Sequence, residues 1–386
     1  MAHILFLMSD TGGGHRAACR AIEAALRERH PDRFTFELVD LWKEYTPFPF
    51  NTIPQSAARW IDVNPSGFSA MFWMWDRLFR SRWWSTLFCK QMFLRMKRLY
   101  LEHPADIIVC VHAAFVRPAV YALRKMRIEK PFLTVVTDYA WPQVLWYDNA
   151  VDRCCVPTEA ALQRGLWLGM DRSQIILTGP PVHPKFSKID ISRREARMQL
   201  GWQSDKRTIL MIGGGDGTGP LVSTARAIDT QQLDCELVIV AGRNQALKSA
   251  LETVNWKRPI RIYGFIDNIE LLMRASDLLI TKAGPATITE AAMVGLPILM
   301  NGAMKNQESP NVEYVVKRKA GVYAPGPKKT AECVARLLRS DGALQKLADG
   351  ARQIAQPDAI WKIVDQICLF APPMNQQPGE IQVCRN

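Results

Sequence analysis

The sequence of 386 residues lacks several signatures that would assign it to a common class of protein. Its nine cysteines are scattered, with one adjacent pair at Cys154 and Cys155 and no pair at CxxC spacing. This pattern argues against a structural zinc site and predicts a reduced, cytosolic protein. No segment has the roughly 20 consecutive apolar residues of a membrane-spanning helix. Any contact with a bilayer is therefore expected to be peripheral.

The opening segment lacks a secretion signal. AHILFLMSD has a short apolar run, no basic region before it and no small-residue cleavage site, so it is expected to form a first buried strand. Glycines follow in DTGGGH, but no Lys and Ser or Thr come after them at the spacing of a P-loop. That class of nucleotide site is excluded.

Positive charge is what the sequence has in excess. Lys and Arg total 49 against 37 Asp and Glu, which gives a formal net charge of +12. This balance favours anionic partners, a group that includes phosphates, nucleic acid and an acidic membrane surface. With 48% hydrophobic residues the chain can bury a large core, and its length indicates two domains.

Apolar runs alternate with helical patterns along most of the chain, which predicts parallel sheets in an α/β fold. The proline-rich TGPPVHPKF near Gly179 suits a connector, and the alternation restarts after it with RTILMIGGGDGTGP. We therefore predict two similar halves, residues 1–180 and 184–356. A helix at about 357–370 is expected to pack back on the first half, and residues 371–386 are expected to be a loose tail.

One segment departs from this alternation. Residues 42–84 hold six of the twelve tryptophans, and residues 77–98 carry seven Lys or Arg and no acidic residue. Aromatic rings and cations suit a lipid–water interface, so one interpretation is membrane docking or a groove for a lipid acceptor. The alternatives are a helix that packs its aromatic side chains into the core, and RNA binding.

The glycine-rich stretch SDTGGGHRA follows the first predicted strand and precedes a helix. Gly12, Gly14 and Ala17 formally satisfy a dinucleotide fingerprint, and Asp40 lies at the sequence distance of a ribose contact. A lone match of this kind is weak. The glycines would in any case let backbone N–H groups approach an anion or a polar substrate closely.

His15 is the unusual residue of this stretch. It lies in the first helical turn, where the positive end of the helix dipole lowers the pKa of an imidazole and keeps it neutral. It is therefore a candidate general base, with Asp10 and Asp138 as alternatives. The competing interpretation is a histidine that only caps or hydrogen-bonds the loop.

The second half contains another glycine turn, in TKAGPATITEAAMVG. Gly284, Pro285 and Thr287 precede a helix whose N-terminus would receive a phosphate, and Glu290 would accept two ribose hydroxyls. The later segment NQESPN offers side chains of the kind that hydrogen-bond sugar hydroxyls, namely Gln307, Glu308 and Asn311. A nucleotide sugar suits this pattern better than a dinucleotide.

The sequence has no Asp-x-Asp motif, which metal-dependent sugar transferases use to hold a divalent ion on a diphosphate. Charge on a leaving diphosphate is instead expected to be balanced by helix N-termini and by the glycine loop at residues 213–219. The sequence therefore predicts no metal and no cofactor, with the nucleotide sugar as co-substrate.

Several motifs occur together and in order: SDTGGGHRA, DLWKEYTPFPFN, GPPVHPKF, GGGDGTGP, AGRN, GFIDNIELLMRASDLLITKAGPATITEA, GLPI and NQESPN. In these motifs the chain resembles the monogalactosyldiacylglycerol synthases and the bacterial diacylglycerol glucosyltransferases, relatives of the peptidoglycan lipid N-acetylglucosaminyltransferase. The resemblance implies a GT-B fold, with two Rossmann-like domains facing across a cleft. It also implies inverting transfer of a hexose from UDP-galactose or UDP-glucose to diacylglycerol or a similar membrane lipid, with the acceptor in the N-terminal half and the donor in the C-terminal half.

The motifs and the resemblance together place functional residues on this sequence. The expected catalytic residues are His15, Asp10 and Asp138. The acceptor is expected on Pro49, Trp42 and Tyr45. The expected ligands of the UDP-sugar are His15, His183, Gly214, Gly215, Gly217, Arg243, Phe265, Gly284, Pro285, Ala286, Thr287, Ile288, Glu290, Asn306, Gln307, Glu308, Ser309 and Pro310.

Two departures from the family pattern stand out. His183 occupies the linker position at which the family usually has an arginine that meets the UDP phosphates, so this contact is expected to be weaker or pH-dependent. Galactolipid synthases carry a His-Pro after TD, whereas this chain reads TDYAWPQ. The second departure leaves the acceptor, and the sugar, open.

The combined expectation is a glycosyltransferase of glycolipid biosynthesis, cytoplasmic and peripheral on the inner face of the cell membrane. Its expected partners are a UDP-sugar, a diacylglycerol-type lipid and an anionic membrane surface, and no nucleic acid. Two alternatives stay open. One is a UDP-sugar epimerase of the same double fold, which does not need the aromatic and basic segment; the other is a non-catalytic nucleotide-sugar sensor that docks on membranes.

Overall fold

The computed structural model describes residues 1–10, 13–48, 50–52 and 65–372. In these residues the chain forms two parallel six-stranded sheets with helices on both faces, as predicted for an α/β fold. The strands of the first sheet are β1 (Ala2–Met8), β2 (Phe34–Asp40), β3 (Ile107–Cys110), β4 (Phe132–Val135), β5 (Arg153–Val156) and β6 (Ile175–Leu177). They lie in the order β2-β1-β3-β4-β5-β6.

The second sheet repeats this plan in the C-terminal half. Its strands are β7 (Arg207–Ile212), β8 (Cys235–Val240), β9 (Ile260–Tyr263), β10 (Leu278–Lys282), β11 (Ile298–Gly302) and β12 (Gly321–Tyr323). Their order is β12-β11-β10-β7-β8-β9. The order reverses between β1 and β3 in the first sheet and between β7 and β10 in the second. In open α/β sheets such reversal points, at the carboxyl ends of the strands, are where ligands bind.

Helices connect the strands. The described helices of the first half are α1 (Gly14–Arg29), α2 (Leu41–Tyr45), α3 (Pro65–Leu78), α4 (Arg82–Glu102), α5 (Ala113–Lys125) and α6 (Glu159–Trp167), with short 3-10 turns at Phe50–Thr52 and Val144–Trp146. Those that follow are α7 (Lys185–Lys188), α8 (Arg193–Gln199), α9 (Leu221–Asp229), α10 (Gln245–Glu252), α11 (Ile269–Ala275), α12 (Pro285–Met293), α13 (Ser309–Lys317), α14 (Pro327–Leu338), α15 (Asp341–Ile354) and α16 (Ala359–Cys368).

The strands are apolar because helices cover both faces of each sheet. In β1 the five consecutive residues from Ile4 to Met8 are all buried, whereas a sheet with one wet face would show polar residues at every second position. Alternate residues of β1 enter two separate cores, Leu5 and Leu7 on one face and Ile4 and Phe6 on the other. Each sheet is thus a rigid platform for the loops at its carboxyl edge.

The last described helix, α16, returns to the N-terminal half. Ile360, Ile363 and Ile367 pack into the same core as Ile4 of β1. Arg29 at the end of α1 forms an ion pair with Asp365. The chain therefore crosses between the halves a second time after completing the second sheet.

The two halves are held together by buried contacts near the cleft. The side chain of Asn311 accepts a hydrogen bond from the Ala140 amide at 3.1 Å and donates one to the Ala283 carbonyl at 3.0 Å. The rings of Tyr139 and Tyr314 meet edge to face at 4.9 Å. Because Ala140 and Ala283 belong to opposite halves, Asn311 fixes the relative position of their cleft-facing loops.

The described part of the aromatic and basic segment includes α3 and α4, which have both buried and exposed side chains. Met96 and Leu99 of α4 are buried in the core of the first half. Trp73, Trp83 and Trp84 are in contrast 42–63% exposed. In the part of the chain that the structure describes, no helix is long and apolar enough to cross a membrane.

Candidate functional site

A single large cleft of about 1110 Å³ lies between the two halves of the described structure. Its walls come from the loops that follow β1, β3 and β4 on one side and β7, β10 and β11 on the other. These loops surround both reversal points of the strand order. Because the carboxyl ends of parallel strands lie along one edge of their sheet, each half presents the backbone amides of its helix N-termini to the cleft.

His15 stands on the N-terminal wall of this cleft, at the second position of α1. Its Nδ1 lies 3.2 Å from the Oγ1 of Thr137, which follows β4. Burial lowers the pKa of His15 to about 4, and a hydrogen bond to the Val111 backbone opposes this shift. The imidazole is therefore neutral near pH 7. The pKa of His15 is lowered, which is the direction expected from the sequence, but the main cause is burial and not the helix dipole.

His112 is a second cleft histidine, which the sequence patterns did not identify. It follows β3 and caps α5, with Nδ1 accepting a hydrogen bond from the Ala114 amide at 3.3 Å. Its ring lies 4.6 Å from the ring of His15. Burial lowers the pKa of His112 well below the usual histidine value, and the neighbouring His15 lowers it further. Both imidazoles of this pair are therefore uncharged.

The two carboxylates offered as alternative bases differ in their surroundings. Asp10 does not line the cleft; its Oδ2 lies 3.1 Å from Arg16 Nε, and its amide donates to Asp40 at 3.1 Å. Asp138 lines the cleft and accepts a hydrogen bond from Trp146 Nε1 at 2.7 Å. Burial raises the pKa of Asp138, although the hydrogen bond from Trp146 lowers it.

Asp40 has a structural role and not the ribose contact of a dinucleotide site. Its Oδ1 accepts hydrogen bonds from the amides of Trp42 and Lys43 at 3.1 and 3.2 Å, and so caps α2. Its Oδ2 holds the Asp10 amide. The carboxylate therefore organises the chain after β1 and β2 and is not available to a nucleotide.

Of the residues expected to contact the acceptor, the structure describes Trp42 and Tyr45, and of these two only Trp42 is found in the lining of the cleft. Trp42 lines the cleft, with its ring edge to face with Phe115 at 5.2 Å and with His112 at 6.3 Å. Tyr45 does not line the cleft: it is buried, and its hydroxyl donates to Glu102 at 2.6 Å. The assignment of Tyr45 to the acceptor is thus wrong, because its polar end is used inside the first half. Pro49 lies outside the described residues.

The glycine loop after β7 forms the facing wall of the cleft. Gly214, Gly217 and Gly219 have positive φ angles, which other residues adopt only with strain. Across the cleft, a Cβ atom at Gly13 would lie 3.5 Å from Arg243 Nη1 and 3.7 Å from Gly215 Cα. The glycine turns of the two halves therefore approach each other closely across the cleft.

The expected glycine ligands do not all face the cleft. Gly214 and Gly215 line it, whereas Gly217 does not. A Cβ atom at Gly217 would lie 2.0 Å from the Ala241 carbonyl oxygen, so glycine is required there for packing. Gly217 thus shapes the loop and does not itself form the wall.

Arg243 and Phe265 lie together at the end of the cleft near β8 and β9. The Arg243 guanidinium stands 5.0 Å from the Phe265 ring, and its Nη1 is 3.4 Å from Asp216 Oδ1. Phe265 is 55% exposed although it is a large apolar residue. An exposed ring with a cation on one face is a suitable platform for a planar base.

The second glycine turn begins α12. Gly284, Pro285, Ala286 and Thr287 line the cleft, whereas Ile288 is fully buried in the second core and lies behind it. The free amides at this helix N-terminus suit an anion.

One turn further along α12, Glu290 also lines the cleft. Burial raises the pKa of its carboxyl to about 7, although the positive charge of Lys185 lowers it. The negative charge of Glu290 is therefore present only at neutral pH and above.

The segment from Asn306 to Pro310 contributes fewer cleft residues than expected. Gln307 and Glu308 line the cleft. Asn306 has a φ of +68° and does not line the cleft, although its Nδ2 donates at 3.2 Å to the carbonyl of Ser69 in α3, which does. Ser309 and Pro310 begin α13 and do not line the cleft either.

Asn311 lines the cleft, and its side chain was predicted to bind a sugar hydroxyl. Its amide oxygen and nitrogen are instead hydrogen-bonded to the backbone of Ala140 and Ala283.

His183 lines the cleft, and its Nδ1 accepts a hydrogen bond from the Lys185 amide at 3.2 Å. Burial lowers the pKa of His183, so it does not replace the positive charge of an arginine at neutral pH. The linker therefore offers a neutral polar group.

Lys282 is a further cleft residue. It belongs to the motif TKAGPATITEAAMVG, but no role was predicted for it from the sequence. It ends β10, and its Nζ lies 3.2 Å from Glu308 Oε1. Glu308 is 3% exposed and also accepts the Met304 amide at 2.9 Å. In the described residues no cluster of His, Cys, Asp and Glu side chains has the arrangement of a metal site.

Two family models match the chain in the order of its two halves. Residues 15–182 match "Monogalactosyldiacylglycerol (MGDG) synthase", and residues 208–353 match "Glycosyltransferase family 28 C-terminal domain". The chain is 35% identical over 94% of its length to the "Probable monogalactosyldiacylglycerol synthase, chloroplastic" of Glycine max, of which it covers 70%. The chain belongs to the monogalactosyldiacylglycerol synthase family. It is therefore a glycosyltransferase, as the motifs predicted.

Other members and solved structures agree with this assignment. "Monogalactosyldiacylglycerol synthase 2, chloroplastic" of Arabidopsis thaliana is 34% identical over 95% of this chain and is covered to 80%. MurG of Acinetobacter baumannii has the same fold, with a TM-score of 0.61 and 17% identity over 96% of this chain and 100% of that one. The Staphylococcus aureus MnaA–UDP co-structure has a TM-score of 0.62 and 14% identity, over 98% and 99% of the two chains. These similarities confirm the predicted GT-B arrangement.

The expected location is contradicted by the same relatives. The synthases of Glycine max, Arabidopsis thaliana and Spinacia oleracea are all named as chloroplastic proteins. The expectation of a cytoplasmic protein on the inner face of a cell membrane is therefore wrong. The cysteine pattern and the apolar runs of the sequence do not distinguish one cellular compartment from another.

Proposed function

We propose that this protein transfers a hexose from UDP-galactose or UDP-glucose to diacylglycerol, with inversion at the anomeric carbon and without a metal ion. The main observation in support of the proposal is that one cleft has a histidine pair on one wall and glycine turns on the opposite wall. The His15–His112 pair lies on the N-terminal side and the glycine turns at residues 213–219 and Gly284 lie on the C-terminal side. A group that accepts protons thus faces groups that bind phosphate.

The donor is proposed to bind along the C-terminal wall. The diphosphate would accept hydrogen bonds from the amides at the start of α12 and from the loop after β7. Glu290 would hold the two ribose hydroxyls, and the exposed Phe265 ring would support the uracil. The names of two related structures record UDP or UDP-glucose as bound ligands, in S. aureus MnaA and Anabaena HepE.

The acceptor is proposed to enter from the N-terminal side, past Trp42 and α3. Met71 and Trp75 of α3 line the cleft, while Trp73 of the same helix is exposed on the outside. One helix therefore connects an apolar outer surface with the cleft, which suits a substrate that arrives from a bilayer. The names of the relatives identify monogalactosyldiacylglycerol as their product, and we assign diacylglycerol as acceptor on that basis.

The chemical step needs one proton acceptor and one stabilised leaving group. The acceptor oxygen attacks the anomeric carbon, the bond to the diphosphate breaks, and its electron pair stays on the departing UDP. The hydroxyl proton passes to His15. If Nδ1–H of His15 donates to Thr137 Oγ1, the lone pair is on Nε2. A neutral imidazole with a low pKa is a weak base, but it suffices because the attacking oxygen becomes strongly acidic as its new bond forms.

The surface around α3 and α4 is proposed to dock on an anionic membrane. Trp73, Trp83 and Trp84 are exposed, and the guanidinium of Arg77 lies 5.4 Å from the Trp73 ring. Each cation near an anionic leaflet contributes on the order of 1 kcal/mol to binding. The chloroplastic names of the relatives make a chloroplast membrane the proposed place of action.

Purified protein should be incubated with diacylglycerol vesicles, a chelator and either UDP-galactose or UDP-glucose. We expect release of UDP together with an equal amount of hexosyl-diacylglycerol, detected by mass spectrometry. Interconversion of the free UDP-sugars without glycolipid would indicate an epimerase instead. Binding of the donor without either product would indicate a sensor.

A further inference from the structure

Lys282 occupies a central position on the donor wall. Its Cε lies 3.9 Å from the Cβ position of Gly214 and 3.7 Å from that of Gly284. The side chain therefore lies between the two glycine turns, which come from loops about 70 residues apart in sequence. Both distances are those of ordinary van der Waals contact, so the lysine side chain packs directly against the two turns.

The partner of Lys282 is itself a cleft residue. Glu308 Oε1 is 3.2 Å from Lys282 Nζ and 3.8 Å from the Cβ position of Gly284. Its other oxygen accepts the Met304 amide. A carboxylate has about four acceptor positions, so two of those on Glu308 remain for other donors. A nearly buried ion pair contributes little net stability, because the desolvation of both charges offsets their attraction.

Several other cations of the cleft have carboxylate partners. Arg16 is paired with Asp10 and Lys185 with Glu270, and neither carboxylate lines the cleft. Arg243 is paired with Asp216, which does line it, but both side chains of that pair are more than a third exposed. The Lys282–Glu308 pair differs, because Glu308 is nearly buried and Lys282 lies beside both glycine turns of the wall on which the donor is proposed to lie. Opening this pair would provide a cation for phosphate and a carboxylate for hydroxyl groups at the same place.

We propose that Lys282 is a ligand of the donor diphosphate and exchanges its ion pair with Glu308 for the phosphate oxygens when the donor binds. This inference rests on the proposed function and assigns a residue to its leaving-group site. The lysine then balances the charge that develops on UDP as the glycosidic bond breaks. Glu308, released from the lysine, accepts hydroxyl groups of the hexose. The exchange would supply the positive charge that the neutral His183 does not give.

Calorimetric titration with uridine, UMP and UDP tests the exchange without any acceptor lipid. Lys282→Gln should weaken UDP binding roughly tenfold or more while leaving uridine binding unchanged. Lys282→Arg should restore most of the UDP affinity, because it keeps the charge. Lys317→Gln is the matched control, since Lys317 is exposed at the end of α13 and does not line the cleft, and it should bind UDP like the unmodified protein.

A second variant separates the exchange from a merely structural ion pair. Glu308→Gln should bind UDP more tightly than the unmodified protein, because Lys282 is released, and should lose any preference for UDP-hexose over UDP. Thermal unfolding of each variant establishes that it is folded. If the unmodified protein binds UDP and Lys282→Gln binds it equally well, the role of Lys282 is overturned while the proposed function stands. If the unmodified protein binds no UDP, both are overturned.

Discussion

His15 and His112 place their imidazole rings 4.6 Å apart, at the starts of α1 and α5, which follow the neighbouring strands β1 and β3. Burial disfavours a charge on both rings, and His15 further disfavours a charge on His112. Both imidazoles are therefore neutral before the proposed proton transfer. This neutral pair faces the glycine turns of the other half, and the account of the chemistry depends on that arrangement.

Replacement of His15 tests its role as proton acceptor. His15→Ala should lower turnover roughly 100-fold or more, because no other neutral imidazole nitrogen has the same position. Its affinity for UDP should change little. His30→Ala is the matched control, since His30 ends the same helix outside the cleft. Steady-state rates of UDP release measure both variants, and a nearly normal turnover of His15→Ala would assign the proton to another group.

The pH dependence separates donor binding from the chemical step. The pKa of Glu290 is raised to about 7, so its carboxylate, which accepts the ribose hydroxyls, is lost as the pH falls. The value of kcat/KM for the donor should therefore decrease from about pH 8 to about pH 6. The pKa of His15 is about 4, so kcat at saturating donor should stay nearly constant over the same range.

Two variants test the assignment of that pH dependence. Glu290→Gln should have a weak donor affinity that no longer depends on pH, whereas Glu313→Gln, at an exposed position of α13, should keep the original profile. UDP-galactose is the suitable ligand, because its diphosphate has no proton to lose in this range. A steep profile in Glu290→Gln would assign the titration to a different group.

Two glycines of the loop after β7 are predicted to be needed for different reasons. At Gly217 there is no space for a Cβ atom, whereas at Gly219 only the positive φ disfavours other residues. Gly217→Ala places a methyl group 2.0 Å from the Ala241 carbonyl and at a φ of +57°. Gly219→Ala is equally constrained in φ but has open space around it. We expect a loss of about 1 kcal/mol in unfolding free energy for Gly219→Ala, and of roughly 3 kcal/mol or more for Gly217→Ala. Equal thermal midpoints would show that the loop relaxes without cost.

Membrane binding should depend on the exposed tryptophans. Replacement of Trp73, Trp83 and Trp84 by serine should reduce co-sedimentation with anionic vesicles severalfold, because the rings are removed from the interface. Turnover with a short-chain, soluble diacylglycerol should be retained. The matched control replaces Leu177 and Tyr323, which are about as exposed as Trp84 but lie on β6 and β12, at the edges of the two sheets. Equal vesicle binding by both variants would remove these three residues from the docking surface.

The sequence predicts the parts of the site that are continuous along the chain. The strand, glycine loop and helix around His15, the proline-rich connector and the turn at Gly284 each combine several local signals. His112 has no such signal, because it is a single polar residue after an apolar strand. Lys282 lies in the motif of the Gly284 turn, but a single lysine at the end of an apolar strand does not by itself indicate a ligand. These two residues reach the cleft because of the order of the strands in each sheet, which local sequence patterns do not predict.

Asn311 and Tyr45 were predicted to contact substrates, but their side chains hydrogen-bond to the protein itself. Each has a polar group of the expected type in a motif of the expected kind. Asn311 hydrogen-bonds Ala140, 171 residues away, and Tyr45 hydrogen-bonds Glu102, 57 residues away. A sequence pattern indicates that such a group needs a partner, but only the fold decides whether the partner is a substrate or the protein itself.

The configuration of the product tests the central claim most directly. UDP-galactose carries an α-linked sugar, and a single displacement assisted by His15 reverses that linkage. Purified protein, diacylglycerol vesicles, UDP-galactose and a chelator should give hexosyl-diacylglycerol whose anomeric proton, observed by NMR, indicates a β-linkage. An α-linked product, or no glycolipid although the donor binds, would contradict the account.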